Sequence, residues 1–370
     1  MASIQKIALG FLEDLNELSI KRFKCKFFPT KVGGKPLWLG LSDLPSPEQL
    51  TCFKCGVSLT FLLQIYVPGE RSDETFHRTL FVFACNYDSC GEGFKVFRCQ
   101  LRRANTFYSY SPPNYDDLND YPDDPKPEKF GKHICNLCGV VASQQCGKCK
   151  SVFYCCRDHQ IIDWKKFDHK KLCGKPIDTV DRLENSFLFP EYEVSIEMEE
   201  NLAKPNTESD EEDDNEDDVE EDEENDENEK GKKENNRKNL SYWLEKYKPQ
   251  LQDENLDEYV TGIEDDATFS HFTRKIKGYE DQILRYYYPS PDVTPEPLWI
   301  CSANKSYTIP NCPNCGAERI FEFQIMPQLI YQLKASFDFG ILAVYTCKQN
   351  CSAEKEGAYL EEYIWVQKFE

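Results

Sequence analysis

"LTCFKCGVSLTFLLQIYVPG", residues 50–69, returns 260 positions later as "IPNCPNCGAERIFEFQIMPQ", residues 309–328. Both stretches carry Cys-x-x-Cys-Gly, with Phe nine residues and Gln-Ile twelve and thirteen residues beyond the first Cys. Pro36-Leu37-Trp38 precedes one copy and Pro297-Leu298-Trp299 the other. Beyond each Cys pair the apolar residues alternate, the period of a strand. "VSLTFLLQIYV" stops at Pro68-Gly69, and "RTLFVFAC" then delivers Cys85, with Cys90 beyond. In the later copy "RIFEFQIM" is followed by "FGILAVYTC", which ends at Cys347 with Cys351 beyond. A third strand follows in each, "GFKVFRCQL" and "EEYIWVQKF". Each unit therefore reads as a hairpin that brings two Cys pairs together, as in a zinc ribbon. One set is Cys52, Cys55, Cys85 and Cys90; the other is Cys312, Cys315, Cys347 and Cys351. A period this long is not a solenoid. Two similar sheets that cannot each close a core should pack together. The expected fold class is β-rich α+β.

Composition bounds the setting. The chain has 370 residues and 18 Cys, and 17 of the 22 residues from Glu208 to Glu229 are Asp or Glu. Without those 17 the net charge of −21 falls to −4, so the folded part is near neutral with an acidic ribbon attached. No charged-then-apolar leader opens the chain, and no apolar run approaches the ~18 residues of a membrane span. The expected setting is the cytoplasm and nucleus, where thiols stay reduced and dense Cys argue for metal over disulfides.

The densest stretch is "CNLCGVVASQQCGKCKSVFYCCRDHQIIDWKKFDHKKLC", residues 135–173. It offers four ligand pairs: Cys135/Cys138, Cys146/Cys149, Cys155/His159 and His169/Cys173. Two tetrahedral zinc ions need this number of N or S donors, at ~2.0–2.3 Å. The segment is too short and polar to fold on its own core, so metal must supply the folding energy. Cys156 is a rival to Cys155, which is preferred because it lies four residues before His159. The pattern resembles the MYND zinc finger, including "FYC" before the third pair and "DW" ahead of His-x-x-x-Cys. That resemblance implies interleaved pairing: Cys135, Cys138, Cys155 and His159 on one zinc, Cys146, Cys149, His169 and Cys173 on the other. MYND fingers bind proline-containing peptides. The positions such a peptide would meet here are Ser151, Val152, Phe153, Gln160 and Trp164; the alternative for Trp164 is packing under the second zinc.

"KVGGKPLWL" at 31–39, the repeated Cys-x-x-Cys-Gly, the intervening finger and "QILRYYY…PLWI" from 282 together resemble the programmed cell death protein 2 family. The resemblance covers nearly all of the chain outside the acidic segment. One departure is that the later copy has "PSPDVTPEPLW", without the Gly-Gly that precedes Pro36. The resemblance implies two zinc-containing halves joined around an inserted finger, hence one zinc in each half and two in the finger. It also implies a dedicated chaperone for a small-subunit ribosomal protein near the mRNA entrance, supporting small-subunit assembly.

The resulting layout is residues 1–110, an N-terminal zinc-containing β half; 111–130, a linker; 131–175, the MYND finger; 199–238, a disordered acidic segment; and 239–370, a C-terminal β half packing with 1–110. Dense charge forbids a core in the acidic segment. It is either a solubilising linker or a polyanion mimic that shields a basic client. "KGKKENNRK" at 230–238 is either a nuclear localisation signal or a counterweight to the acidic block. "SYWLEKYKPQL" from 241 reads as a short helix stopped by Pro249. Phe269, Phe272, Ile276, Tyr279, Ile283, Leu284 and Tyr287 recur at helical spacing. "IQKIALGFLEDLNEL" is ambiguous between helix and edge strand.

No phosphate loop, nucleophile elbow or kinase signature is present. Metal sets with four protein ligands leave no open position for a catalytic water. His77, His133 and His271 lack an evident catalytic partner, and Cys25, Cys99, Cys156 and Cys301 read as packing residues. The expectation is a binding protein, not an enzyme. It would be a monomer that escorts a basic small-subunit ribosomal protein, with no direct nucleic-acid or membrane contact. The alternative is a MYND-type adaptor that binds proline-containing peptides of transcriptional regulators.

Overall fold

The computed structural model describes residues 5–69, 72–87, 90, 93–113, 124–167, 169–175, 186–201, 267–290, 292–305 and 308–368. The acidic run from 208 to 229, the basic stretch after it and the helix expected from 241 lie outside the described residues.

The first repeat contributes β3 (Thr60–Tyr66), β4 (His77–Ala84) and β5 (Phe94–Leu101). The second contributes β10 (Arg319–Ile325), β11 (Ile341–Cys347) and β13 (Tyr363–Gln367). Each trio is antiparallel with the middle strand in the centre. The first hairpin carries a bulge between Phe61 and Leu63, and the second carries one between Phe321 and Phe323. The offset of 260 that relates the sequences therefore relates the backbone irregularities as well.

The two trios do not stand as separate sheets. Between β3 and β10 lie β2 (Lys31–Val32), β8 (Tyr192–Met198), β1 (Ile7–Glu13) and β9 (Leu284–Tyr287), all paired antiparallel. On the far side β12 (Tyr359–Glu361) pairs with β5 while β13 pairs with β11, and Glu362 alone separates β12 from β13. The Glu362 amide donates to Val96 O at 2.9 Å. An 11-stranded sheet thus curls until its ends are neighbours in the chain, a nearly closed barrel. Closure removes the exposed edges that would otherwise recruit other strands.

Period-2 patterning now has a use on both faces. Inside, Leu80, Val82 and Val96 from the first half meet Phe323, Leu342 and Val344 from the second. Outside the first half, Trp38, Phe61, Phe81, Phe83 and Phe97 form a layer that continues into the finger through Leu137, Val140 and Tyr154. Outside the second half, Leu298, Phe321, Ile341 and Tyr345 are covered by Phe272 and Ile276 of a helix, Ala267–Ile276. Charge crosses the interior in compensated form. Arg78 of β4 makes a bidentate pair with Glu322 of β10 at 2.6 and 2.8 Å. Burial opposes the Arg78 charge, but the Glu322 carboxylate outweighs it, and the pair stays ionised. Glu362 sits between Arg98 (2.7 Å) and Arg319 (2.9 Å), so the closing residue ties one half to the other.

Three expectations need correction. The N-terminal stretch is neither helix nor edge strand: β1 is flanked on both sides, with the short helix α1 (Glu17–Arg22) following. The helical stripe from Phe269 ends at Ile276; Gly278 has φ +87°, and Leu284 to Tyr287 are strand β9. The disordered segment does not begin at Glu199, because that carboxylate accepts from Arg285 at 2.7 Å. Strand β8, immediately before it, had no expectation at all. Its path is fixed by Gly33 and Gly34, which turn with φ +67° and +64°. A Cβ on Gly33 would lie 1.9 Å from Pro190 O, so no other residue fits there.

Candidate metal centres

The repeated Cys-x-x-Cys-Gly folds the same way in both halves. Cys52 N–H donates to Val57 O (2.8 Å) and Gly56 N–H to Cys52 O (2.9 Å). Cys312 N–H donates to Ala317 O and Gly316 N–H to Cys312 O, both at 2.8 Å. The glycines turn at φ +72° and +76°, which explains the residue after each second Cys. In the finger, Cys135 and Gly139 repeat the turn, with Gly139 at φ +78°. At Cys146 the same turn is closed by Lys150 at φ +55°.

These turns bring the expected residues into four quartets, each with its donor atoms within 4.8 Å of one another. They are Cys52, Cys55, Cys85, Cys90; Cys135, Cys138, Cys155, His159; Cys146, Cys149, His169, Cys173; and Cys312, Cys315, Cys347, Cys351. Sulfur separations are 3.8 Å (Cys52–Cys90), 3.6 Å (Cys55–Cys85), 3.6 Å (Cys138–Cys155), 4.0 Å (Cys146–Cys173), 3.6 Å (Cys312–Cys351) and 3.5 Å (Cys315–Cys347). A tetrahedron with ~2.3 Å zinc–sulfur bonds has edges of ~3.8 Å. A disulfide would need ~2.05 Å. The spacing fits metal and excludes a bridge. His159 turns Nδ1 toward Cys135 at 3.8 Å, whereas His169 turns Nε2 toward Cys149 at 3.8 Å. Burial resists ionisation of Cys52, yet the Cys55 and Lys54 amides and the neighbouring thiols bring it down to about 7. Cys149 comes down to about 6, the Ser151 hydroxyl and amide outweighing burial. Burial prevails at Cys85, which is raised, and at Cys173, pushed up to about 11, so the thiols within a quartet differ in their ease of ionisation. Cys99, which joins no quartet, is pushed up to about 12 by burial. Cys25, Cys156 and Cys301 also join no quartet; Cys156 occupies the N-cap of α2 (Arg157–Lys166).

Asp163, which sequence reasoning missed, organises the finger around these ligands. Its carboxylate accepts from Tyr154 OH and from Asn136 Nδ2, each at 2.7 Å. The signal was present: Tyr154 belongs to "FYC" and Asp163 to "DW". The finger rests on the first half, where Trp38 Nε1 donates to Gly139 O (2.9 Å) and Lys35 Nζ to Asn136 O (2.6 Å). In both repeats the Gln of Gln-Ile holds the Leu of Pro-Leu-Trp. Gln64 Oε1 accepts from Leu37 N–H at 2.9 Å, and Gln324 Oε1 accepts from Leu298 N–H at 2.6 Å. The paired motifs are two ends of one bond.

Of the five expected peptide-binding residues, Ser151 and Val152 line a cleft of about 1080 Å³ between finger and barrel, with Phe23, Phe167 and Leu333. Phe153 stacks on His133, rings 3.6 Å apart at 3°. Trp164 packs edge-on against His169 at 5.6 Å, the packing role weighed against peptide contact. Gln160 lies one turn before it on α2. Neither Phe153, Gln160 nor Trp164 lines the cleft. His77 does have a partner, Tyr66 OH at 2.9 Å from Nδ1.

Residues 6–115 match the N-terminal domain of programmed cell death protein 2, residues 266–368 its C-terminal putative domain, and residues 135–173 the MYND finger. The chain is 37% identical to programmed cell death protein 2 of Mus musculus, over 98% of this chain and 96% of that protein. Identity to the Bos taurus protein is 36%, over 97% and 95%. Programmed cell death protein 2-like of Homo sapiens is 27% identical over 92% and 90%. No solved structure matches the chain.

Proposed function

The chain belongs to the programmed cell death protein 2 family, and from that premise we propose that it is a zinc-binding escort for a basic small-subunit ribosomal protein. The observation that carries the binding role is saturation. Each quartet offers four protein donors, so four bound zinc ions would all be structural, with no coordination position open to a catalytic water. That chemistry supports a binding role for these sites. The 17 carboxylates between Glu208 and Glu229 supply the complement to a basic client. Their attraction acts at range and weakens with salt, the Debye length being ~8 Å at physiological ionic strength. In this reading the client is protected from RNA before it joins the small subunit near the mRNA entrance. No helix among the described residues is long and apolar enough to cross a membrane; the protein would work as a monomer in cytoplasm and nucleus.

One observation favours the adaptor reading: Ser151 and Val152 face the cleft, where a proline-containing segment of a transcriptional regulator would lie. Affinity purification from RNase-treated cells with quantitative mass spectrometry separates the two. A single stoichiometric small-subunit ribosomal protein supports the escort. A spread of transcription regulators without one supports the adaptor. Deleting 208–229 should slow client capture, and unchanged capture kinetics would remove the mimic role.

A further inference from the structure

A second cavity, of about 480 Å³, opens on the first half beside the start of β4. Its walls are largely aromatic, and among the described residues no Asp or Glu lines it. Arg103 lies in that wall between two rings, its guanidinium carbon 4.3 Å from the Tyr110 centroid and 5.2 Å from that of Phe76. The buried arginines of the barrel all have carboxylates: Arg78 has Glu322, Arg98 has Glu362, Arg285 has Glu199. Arg103 has none among the described residues, and its Nε is buried without an acceptor. Stacking fixes the plane of the fork, so little freedom remains to be lost when an acceptor arrives.

The ligand's charge follows from what else is in the wall. Lys26 and Lys129 have contacts of their own. His77, bonded to Tyr66, is neutral at physiological pH, since burial and then Arg103 lower its pKa to about 4. Among the described residues Arg103 is the cation of this wall that is held by ring stacking with its Nε lacking an acceptor, and a planar carboxylate matches its guanidinium fork.

We propose that this cavity receives a Glu or Asp side chain flanked by an aromatic or proline residue in a partner polypeptide. The carboxylate accepts from Arg103, and the flanking ring sits among Phe28, Phe107 and Phe130. This site is separate from the finger cleft and independent of the escort reading.

The test uses the full chain and two fluorescein-labelled peptides, Gly-Pro-Glu-Phe-Gly and Gly-Pro-Gln-Phe-Gly, followed by anisotropy. The Glu peptide should bind roughly tenfold tighter or more, the scale of a charge-assisted hydrogen bond. Arg103→Gln should erase the difference. Tyr110→Ala, at a residue 63% exposed and so harmless to folding, should weaken the Glu peptide severalfold and keeps the test alive should Arg103→Gln misfold. Equal affinity for both peptides, no binding at millimolar peptide, or tighter binding of adenosine monophosphate at the same place overturns the proposal.

Discussion

The two repeats share a sheet, a bulge, a knuckle turn and a Gln-to-Leu clasp, yet they are covered by different things. Over the first, the outer aromatic layer runs into the finger, and Trp38 is 2% exposed with its indole N–H on Gly139 O. Over the second, the layer is capped by the helix Ala267–Ile276, and Trp299 is only partly buried. A curved sheet buries its inner face by closing on itself, but its outer face needs a cover from elsewhere. The difference teaches that the finger is not a module hung from a linker. It is the roof of one half, as the helix is the roof of the other. A metal-dependent roof can be removed without touching the barrel's interior, and a helical roof cannot be removed that way.

Metal therefore gives the largest separation between the regions. Cys146→Ser should abolish the fold of residues 131–175, because structural zinc contributes on the order of 10 kcal/mol to so small a unit. The barrel, with its interior shared by both halves, should stay folded. Zinc measured by plasma mass spectrometry should fall by two equivalents of the four expected from the quartets, and limited proteolysis should cut only the finger. Cys52→Ser should remove one zinc and lower the melting temperature of the barrel itself. Unaltered melting for Cys52→Ser would show that the barrel does not need its pins.

The tryptophans test the roofs directly. Trp38→Ala should cost about 3–5 kcal/mol, the range for a large buried ring, and should loosen the finger as well. Trp299→Ala, starting from a partly exposed ring, should cost about 1–2 kcal/mol by urea titration. Equal costs would erase the asymmetry.

The Gln residues should show the opposite, a symmetry. Gln64 and Gln324 are 1% and 0% exposed and each satisfies the Leu of its Pro-Leu-Trp. Gln64→Leu and Gln324→Leu each leave a buried amide without its acceptor, a cost of about 1–3 kcal/mol. Similar losses would support one shared structural role; a loss in one half alone would break the equivalence.

Much of this was legible. Ligand spacing identified all sixteen members of the quartets, because metal imposes short, fixed intervals on the chain. Period-2 runs identified the two strand trios. What was not legible had a common physical cause, namely partners distant in sequence. Strand β8 is a charged stretch, "YEVSIEM", whose strand character comes from pairing with β1 and β2. Leu284 and Tyr287 fit a helical stripe by spacing, and pairing with β1 overrode it. Asp163 and Arg103 matter through what lies beside them in space. The echo of Pro-Leu-Trp and Gln-Ile was visible, but the bond between them was not.

The smallest expected effect is a pH dependence centred on the first half. His77 is held neutral, its pKa lowered from 6.5 to about 4 by burial and then by Arg103. Phe28, Phe76, Tyr66 and Tyr108 pack around the ring and Arg103 is the charged neighbour, so among the described residues no carboxylate offsets the burial. The unfolded chain takes a proton below about 6.5 while the folded chain resists until about 4. Stability fully present above pH 6.5 is thus lost as pH falls through that window, by roughly 1–2 kcal/mol after allowance for solvent screening. His77→Phe should flatten the slope measured by urea titration between these limits. In the second half His271, on the roofing helix, is also held below its ordinary value, by burial and then by Lys275 and Arg274, but it is exposed and should give a shallower slope. Should the slope survive His77→Phe unchanged, the acid sensitivity belongs to the metal quartets instead, where protons compete with zinc for His159 and His169. Zinc release would then track the loss of stability, and the comparison would be between metal sites rather than between roofs.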